Sequence, residues 1–283
     1  MESVRASLGA MFAERSAVVV LVVLVALVAV LAVVWIVYKI KRTDLQSVKI
    51  VTTPVQLFDN DTVVSLDKGN IPGTINGQEF SFSFWLYVAE LQPASQPYVI
   101  FYRTSSVVTQ TSVNANPIVM VNPRTNKLHI CMRTNSSKTS GATLEQVYSR
   151  GFDAPLDNWV VATIDYLPLQ RWVHVVFTVT DNMLTVYMDG DMYTIENVME
   201  MTDPVTSRRP VFAATSGDVV VGHVPGGAEL RGYLARLQFF NYALTKADVG
   251  AVASSGPSER SVLTSLGLPA YSVRSPIYRV EGA

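Results

Sequence analysis

The chain has 283 residues, with 22 Lys+Arg against 23 Asp+Glu for a net charge of −1; 49% of it is hydrophobic and 16% charged. A near-neutral balance gives no electrostatic footprint for nucleic acid, which asks for a basic domain or stripe. The charged fraction lies below the roughly 25% of an average soluble domain, and one apolar run accounts for much of the difference.

Residues 1–16 form a short N-terminal segment. Residues 17–38, AVVVLVVLVALVAVLAVVWIVY, contain no charge, no Asn or Gln and no Pro. As a helix rising ~1.5 Å per residue this run spans the ~30 Å hydrocarbon core of a bilayer. A cleaved signal peptide has a shorter apolar run of about 7–15 residues and a small-residue cleavage site. A buried core helix carries a polar stripe. Neither pattern is present, so one uncleaved transmembrane helix is expected. Trp35, Tyr38, Lys39, Lys41 and Arg42 close the run and are the interface anchors such a helix uses. Lys39, Lys41, Arg42 and Lys49 outweigh Asp44 on the C-terminal side, whereas Arg5 and Arg15 are matched by Glu2 and Glu14. The positive-inside rule then keeps the C-terminal side in the cytosol. The single cysteine, Cys131, excludes an intrachain disulfide and agrees with a reducing compartment. Two glycosylation tripeptides, Asn60-Asp-Thr62 and Asn135-Ser-Ser137, point to the other side; such tripeptides arise often by chance and weigh less than the charge asymmetry.

Residues 39–78 read as a juxtamembrane stretch with first strands (VKIVTTPVQLF, TVVSL) broken by turn residues at Asn70, Pro72-Gly73 and Asn76-Gly77. From Phe80 the strand signal is strong. Phe80, Phe82, Phe84, Leu86 and Val88 alternate with Ser81, Ser83, Trp85 and Tyr87, the period-2 pattern of a half-buried strand. Further strands are expected over 97–103, 117–121, 127–133, 159–166, 171–180, 183–188, 218–222 and 230–240. Asn122-Pro123, Thr125-Asn126, Asp181-Asn182 and Asp189-Gly190 punctuate them. TVTDNMLTV and VYMDGDMY are tight hairpins, the second with the Asp-Gly pair that a type I′ turn uses. Trp172, beside the Val173, Val175, Phe177 and Val179 row, is expected to be a packing anchor. TKADVGAVA is a helix with Thr245 as N-cap and Asp248 three residues on. Residues 256–283, rich in Ser, Pro and Arg, read as an extended C-terminal tail that either docks on a partner or packs back along its own domain. Many short strands with regular turns argue an all-β antiparallel sandwich and not a βαβ fold.

FSFWLYV, NPRTNKLHICMR, LPLQRWVHVVFTVTDNMLTVYMDG and GYLARLQFFNYALTKADV follow one another in an order that resembles the laminin-G-like, concanavalin A-like jelly-roll family. The likeness covers about residues 79–250, within an expected domain of 79–255. It is strongest toward the version found in large eukaryotic DNA viruses, in which a lectin/glucanase-like jelly roll follows a membrane span. The resemblance implies a concanavalin A-like jelly-roll sandwich preceded by the N-terminal transmembrane helix. It says little about ligand, since the superfold hosts lectins, adhesion modules and hydrolases.

The retaining glucanases of this superfold carry a Glu-x-Asp-x-x-Glu strand, and retaining chemistry needs two carboxyls about 5–5.5 Å apart. No glutamate here has an aspartate two positions later. Asp189-x-Asp191 and Glu196-x-x-x-Glu200 are the nearest pairs, on a hairpin turn and a loop. His129 and Cys131 share one strand face, but two ligands make no zinc site. His174 reads as a packing residue, and Cys131 as a small buried hydrophobe with no cationic neighbour to activate it. The third histidine, His223, lies in GHVPGG, which lacks the Lys-Ser/Thr ending of a phosphate loop. Asp157, Asp189, Asp191 and Asp218 are spread without calcium-loop spacing. No enzyme activity, cofactor or metal is expected. A sugar-type surface, if present, would draw on Tyr98, Tyr102, Arg103, Asn158, Trp159 and Arg171. The function expected is that of a non-enzymatic, single-pass membrane protein with its domain on the cytosolic side. In a large DNA virus that places it on the internal membrane of the virion, facing the capsid as a minor capsid or membrane component. Its partners are then the lipid bilayer and neighbouring structural proteins. The alternative is a glycan-binding, lectin-like adhesion domain displayed on a membrane surface.

Overall fold

The computed structural model describes residues 24–35, 46–57, 64–74, 79–106, 108, 114–135, 159–198, 210–222, 224 and 227–258. The chain divides into two units, Met1–Gln46 and Ser47–Ala283. In the first, residues 24–35 form helix α1. Its large apolar side chains are about equally exposed all round, from 55% at Leu24 to 61% at Val30 and Trp35. Among the described residues no helix is long and apolar enough to cross a membrane; the described helix covers only part of 17–38. Tyr38, Lys39, Lys41 and Arg42 lie outside the described residues.

The second unit is an antiparallel two-sheet sandwich. Its strands are β1 (Ser47–Lys49), β2 (Val55–Gln56), β3 (Val64–Leu66), β4 (Phe80–Glu90), β5 (Tyr98–Thr104), β6 (Ala115–Val121) and β7 (Leu128–Arg133). They continue with β8 (Trp159–Ile164), β9 (Trp172–Val179), β10 (Met183–Met188), β11 (Asp191–Asn197), β12 (Asp218–Val221) and β13 (Arg231–Phe240). Sheet A runs β1-β13-β4-β9-β10-β11, with β2 also on β13, and sheet B runs β3-β12-β5-β6-β7-β8. The sandwich therefore begins before residue 79, because β1 and β2 pair with β13 and β3 pairs with β12.

The alternation read in β4 sets the interior. Phe80, Phe82, Phe84, Leu86 and Val88 face inward and are at most 1% exposed. Phe82 sits 5.4 Å from Phe101, 5.3 Å from Phe177 and 5.1 Å from Phe239, ring centre to ring centre. These four rings come from β4, β5, β9 and β13, so both sheets meet on one aromatic contact. Val173, Val175, Phe177 and Val179 of β9 and Val119, Val121, Leu128, Ile130 and Met132 of β6 and β7 complete the same core.

Helix α2 (Lys246–Ser254) begins as its sequence indicated. Thr245 Oγ1 accepts from the Asp248 amide while the Asp248 carboxylate accepts from the Thr245 amide, a full capping box. It lies on the outer face of sheet A through Val249 and Leu244 against Val176 and Phe240. Arg236, at φ 49° inside the β13 bulge, donates from one guanidinium nitrogen to the carbonyls of Ser255, Gly256 and Ser258. It thereby satisfies carbonyls just past the helix end. The tail beyond Ser258 lies outside the described residues. The β10–β11 hairpin turns at Asp189 (φ 52°) and Gly190 (φ 94°), the paired positive φ that a type I′ turn requires.

Phe82→Ala removes a ring that joins both sheets, and its expected cost is ~3–5 kcal/mol. Thermal or urea unfolding checks this, since such a loss is a large share of the ~5–15 kcal/mol a domain has.

Candidate functional site

Three surfaces gather polar and aromatic groups. The first is the outer face of sheet B. The strand register lays out a row Ser65, Val220, Tyr102, Ile118, Cys131 and Val161 across six strands, and a second row Val99, Met120, His129 and Thr163 beside it. Val99, Tyr102, Ile118, Met120, Cys131 and Trp159 form a buried cluster on this face. Burial drives the Cys131 thiol pKa far up, so it is a neutral thiol at physiological pH. His129 is pushed down to about 3, by burial first and then by the Lys127 charge. Its Nδ1 is hydrogen-bonded to Thr163 Oγ1 at 3.0 Å. Toward one end of the sheet a cleft of about 370 Å³ is lined by Tyr102, Thr104, Ser105, Ser106 and Asp218.

The second surface is the outer face of sheet A beyond the end of α2. Here Tyr233, Tyr87 and Trp172 stand opposite one another on β13, β4 and β9. Tyr87 lies 5.6 Å from Trp172 and 6.2 Å from Tyr233. The next row pairs Trp85 with His174, ring centres 4.9 Å apart. His174 Nε2 is hydrogen-bonded to Ser83 Oγ at 2.9 Å, while Trp85 Nε1 and His174 Nδ1 are buried without a hydrogen-bond partner. Burial lowers the His174 pKa to about 4, with the Arg236 charge adding to it and Asp189 opposing. Asp189 bonds the strand to the hairpin: Oδ1 accepts from the His174 amide at 2.9 Å and Oδ2 pairs with Arg171 at 2.6 Å.

The third surface is a cleft of about 450 Å³ at the end of the sandwich, lined by Gln92, Tyr98, Gly227, Glu229 and Arg231. Arg231 and Glu90 pair beside it at 2.7 Å.

Five of the six residues expected to supply a sugar-type surface are described, and they fall in separate places. Tyr98 is 2% exposed, belongs to the inner core and donates its hydroxyl to the Gln92 carbonyl. Tyr102 and Trp159 do share the outer face of sheet B, but β6 and β7 stand between them and both are buried. Arg103 points inward, 5.3 Å over the Phe239 ring, and donates to the Gly217 carbonyl and Thr215 Oγ1. Burial holds its pKa down to about 10, with Asp218 opposing. Arg171 is on the exposed hairpin rim with Asp189. Asn158 lies outside the described residues, as do Asp157 and His223.

Trp172 departs from the reading as a packing anchor. It is half-buried and faces away from its Val173, Val175, Phe177 and Val179 neighbours, because adjacent positions on a strand take opposite faces. The aromatic row it belongs to was not singled out from sequence. Its signal was the second face of β4, where Ser81 and Ser83 give way to Trp85 and Tyr87.

Several of the described carboxylates each hold one structural partner set. Asp67 and Asp248 cap helical turns. Asp189 ties the hairpin, Asp218 accepts from the Lys68 amide at 2.8 Å, and Asp165 and Glu90 pair with Lys127 and Arg231. Among the described residues no group of three or more His, Cys, Asp or Glu side chains could hold a metal ion.

A family model described as the concanavalin A-like lectin/glucanases superfamily matches residues 58–250. No curated protein matches the sequence. Among solved structures, the botulinum neurotoxin serotype D binding domain aligns with a TM-score of 0.49 at 12% identity, covering 74% of this chain and 46% of that one. The binding domain of botulinum neurotoxin DC, solved with rat synaptotagmin II, aligns with a TM-score of 0.45 at 12% identity, covering 74% and 45%. The chain thus spans less than half the length of these structures.

The two buried histidines make a pH test. Both have folded pKa values below the ordinary 6.5, so the unfolded chain binds protons that the folded chain refuses. Their contribution to stability is full above about pH 7 and is lost as pH falls toward about 4. The melting temperature should be flat from pH 8 to 7 and fall from pH 6.5 to 5, before most carboxylates titrate; differential scanning calorimetry across that range checks it.

Proposed function

The chain belongs to the concanavalin A-like lectin/glucanase superfamily, and from that premise we propose that it is a non-enzymatic recognition module tethered to a membrane by residues 17–38. The observation that carries the non-enzymatic part is the separate use of the carboxylates: acid–base hydrolysis needs two that converge, and Asp189, the nearest described candidate, is committed to a strand amide and an arginine. The tether is supported by helix α1, which offers apolar side chains around its whole circumference and has no polar stripe to face water. The likeness of the sequence to the membrane-anchored jelly rolls of large eukaryotic DNA viruses supports a place in a virion. There the domain would face the capsid from the internal membrane and link the two layers.

A second reading, glycan recognition, is favoured by the Tyr233–Tyr87–Trp172 row, in which the half-buried Tyr233 and Trp172 flank the buried Tyr87 with their rings tilted, since such aromatic surfaces suit the apolar faces of sugar rings.

Full-length protein should partition into the detergent phase and resist carbonate extraction, and deletion of 1–42 should move it to the aqueous phase. Full-length protein found in the aqueous phase would refute the tether. Cross-linking of purified particles followed by mass spectrometry should join the domain to capsid proteins under the first reading. Under the second, a glycan array should give saturable binding that Trp172→Ala abolishes while costing less stability than Phe82→Ala.

A further inference from the structure

The last turn of α2 lies against the β10–β11 turn, where a Cβ placed on Gly190 would stand 3.7 Å from the Ala253 Cβ. Gly256, at φ 71°, then turns the chain. The carbonyls of Ser255, Gly256 and Ser258 accept from the Arg236 guanidinium of β13 at 3.0, 3.1 and 3.4 Å. Since β9 and β4 stand between β10 and β13, the segment after the helix runs back across sheet A, from the hairpin toward β13.

The row of the outer face at this level is Ala235, Trp85 and His174. It is covered: His174 is 1% exposed although it points away from the core. The next row along the same strands is Tyr233, Tyr87 and Trp172, in which Tyr233 and Trp172 are only half-buried. Ser258, the last described residue, thus sits on Arg236 at the border between a covered row and a partly open one.

We propose that residues 259–268 of the same chain continue over the Tyr233–Tyr87–Trp172 row and cover it, so that any ligand of the row, whatever its chemistry, must displace them. Reach permits this. Successive rows on one sheet face lie about 7 Å apart along the strands, and three neighbouring strands span about 10 Å. An extended chain advances ~3.3 Å per residue, so Val262 and Leu263 already come within range of all three rings. Composition fits as well. The segment ERSVLTSLGL carries Val262, Leu263, Leu266 and Leu268, with Glu259 and Arg260 its only charges, and Pro269 follows it. Apolar side chains in this number gain by covering aromatic surface. The anchoring at Arg236 selects the occupant. A segment tethered beside its site meets it at an effective concentration on the order of millimolar. Contact too weak to hold a separate molecule then suffices within one chain, which favours this tail over a second copy or another protein.

Hydroxyl-radical footprinting of the full-length protein in detergent micelles, read by mass spectrometry, tests this. Truncation after Ser258 should raise oxidation of Trp172 and Tyr233 several-fold and leave Tyr166, 64% exposed on the loop before β9, unchanged. Leu263→Asp combined with Leu266→Asp in the full chain should raise the same two rates with no residue removed, and the wild-type rates should not vary with protein concentration. Equal rates at Trp172 in all three proteins would overturn the proposal. So would a rise at Tyr166 as large as that at Trp172, which would make the tail part of the core. Wild-type protection that develops only as concentration rises would assign the cover to a second copy and overturn it too.

Discussion

Phe82 is the contact on which the sandwich turns. It comes from the middle of β4, a central strand of sheet A, and lies within 5.5 Å of rings from β9, β13 and, across the core, β5. Two twisted sheets packed face to face need a filled interior about 10 Å thick. A run of phenylalanines on alternate positions supplies that thickness with few torsions to freeze. Once the rings fix which face of β4 is inside, every neighbour inherits its orientation by register. Trp85 and Tyr87 are sent outward for the same reason that Phe84 and Leu86 are sent inward.

A sandwich leaves two outer faces, and the chain treats them differently. On sheet B the outer face is apolar and buried, with His129 and Cys131 held neutral within it. On sheet A, α2 covers one end and stops where Arg236 gathers the carbonyls beyond it. The helix therefore divides the face into a packed half around Val176 and Phe240 and a half-open one around Trp172, Tyr87 and Tyr233. Access on sheet A is set by where a helix ends, at the C-cap Ser255 and the positive-φ Gly256, and one arginine in a bulge satisfies the carbonyls there.

Much of this was legible in the residues, and the misses have physical causes. Alternation in β4, the Asp189-Gly190 turn and the Thr245/Asp248 box are local, so the sequence displays them directly. Pairing of β1 and β2 with β13 joins segments far apart in the chain, and short runs such as SVK carry no mark of their partner. Tyr98 and Tyr102, both expected on one sugar-type surface, are parted by a bulge. On an ideal strand Tyr98 and Tyr102 share a face, but the register shifts between Val99 and Phe101, which turns Phe101 inward and Tyr102 outward while Tyr98 stays in the core. A one-residue slip reverses every later side chain, and period counting cannot see it. β11 escaped notice as a separate strand because DMYTIEN is half polar, as an exposed edge strand is.

The scarcity of charge bears on how such a domain meets anything. With 16% charged residues, several of the described ions fix turns, caps and hairpins: Asp67, Asp218 and Asp248 hold backbone amides, and Arg171, Lys127 and Arg231 hold acids. A net charge of −1 gives little long-range electrostatic steering, and the outer face of sheet A offers an aromatic row. Contacts made through it gain free energy from area removed from water and not from ion pairing, so salt should change them little. Apolar contact is indiscriminate in solution, and shape and register must then supply selectivity. An aromatic row on a rigid sheet, as at Tyr233, Tyr87 and Trp172, provides shape.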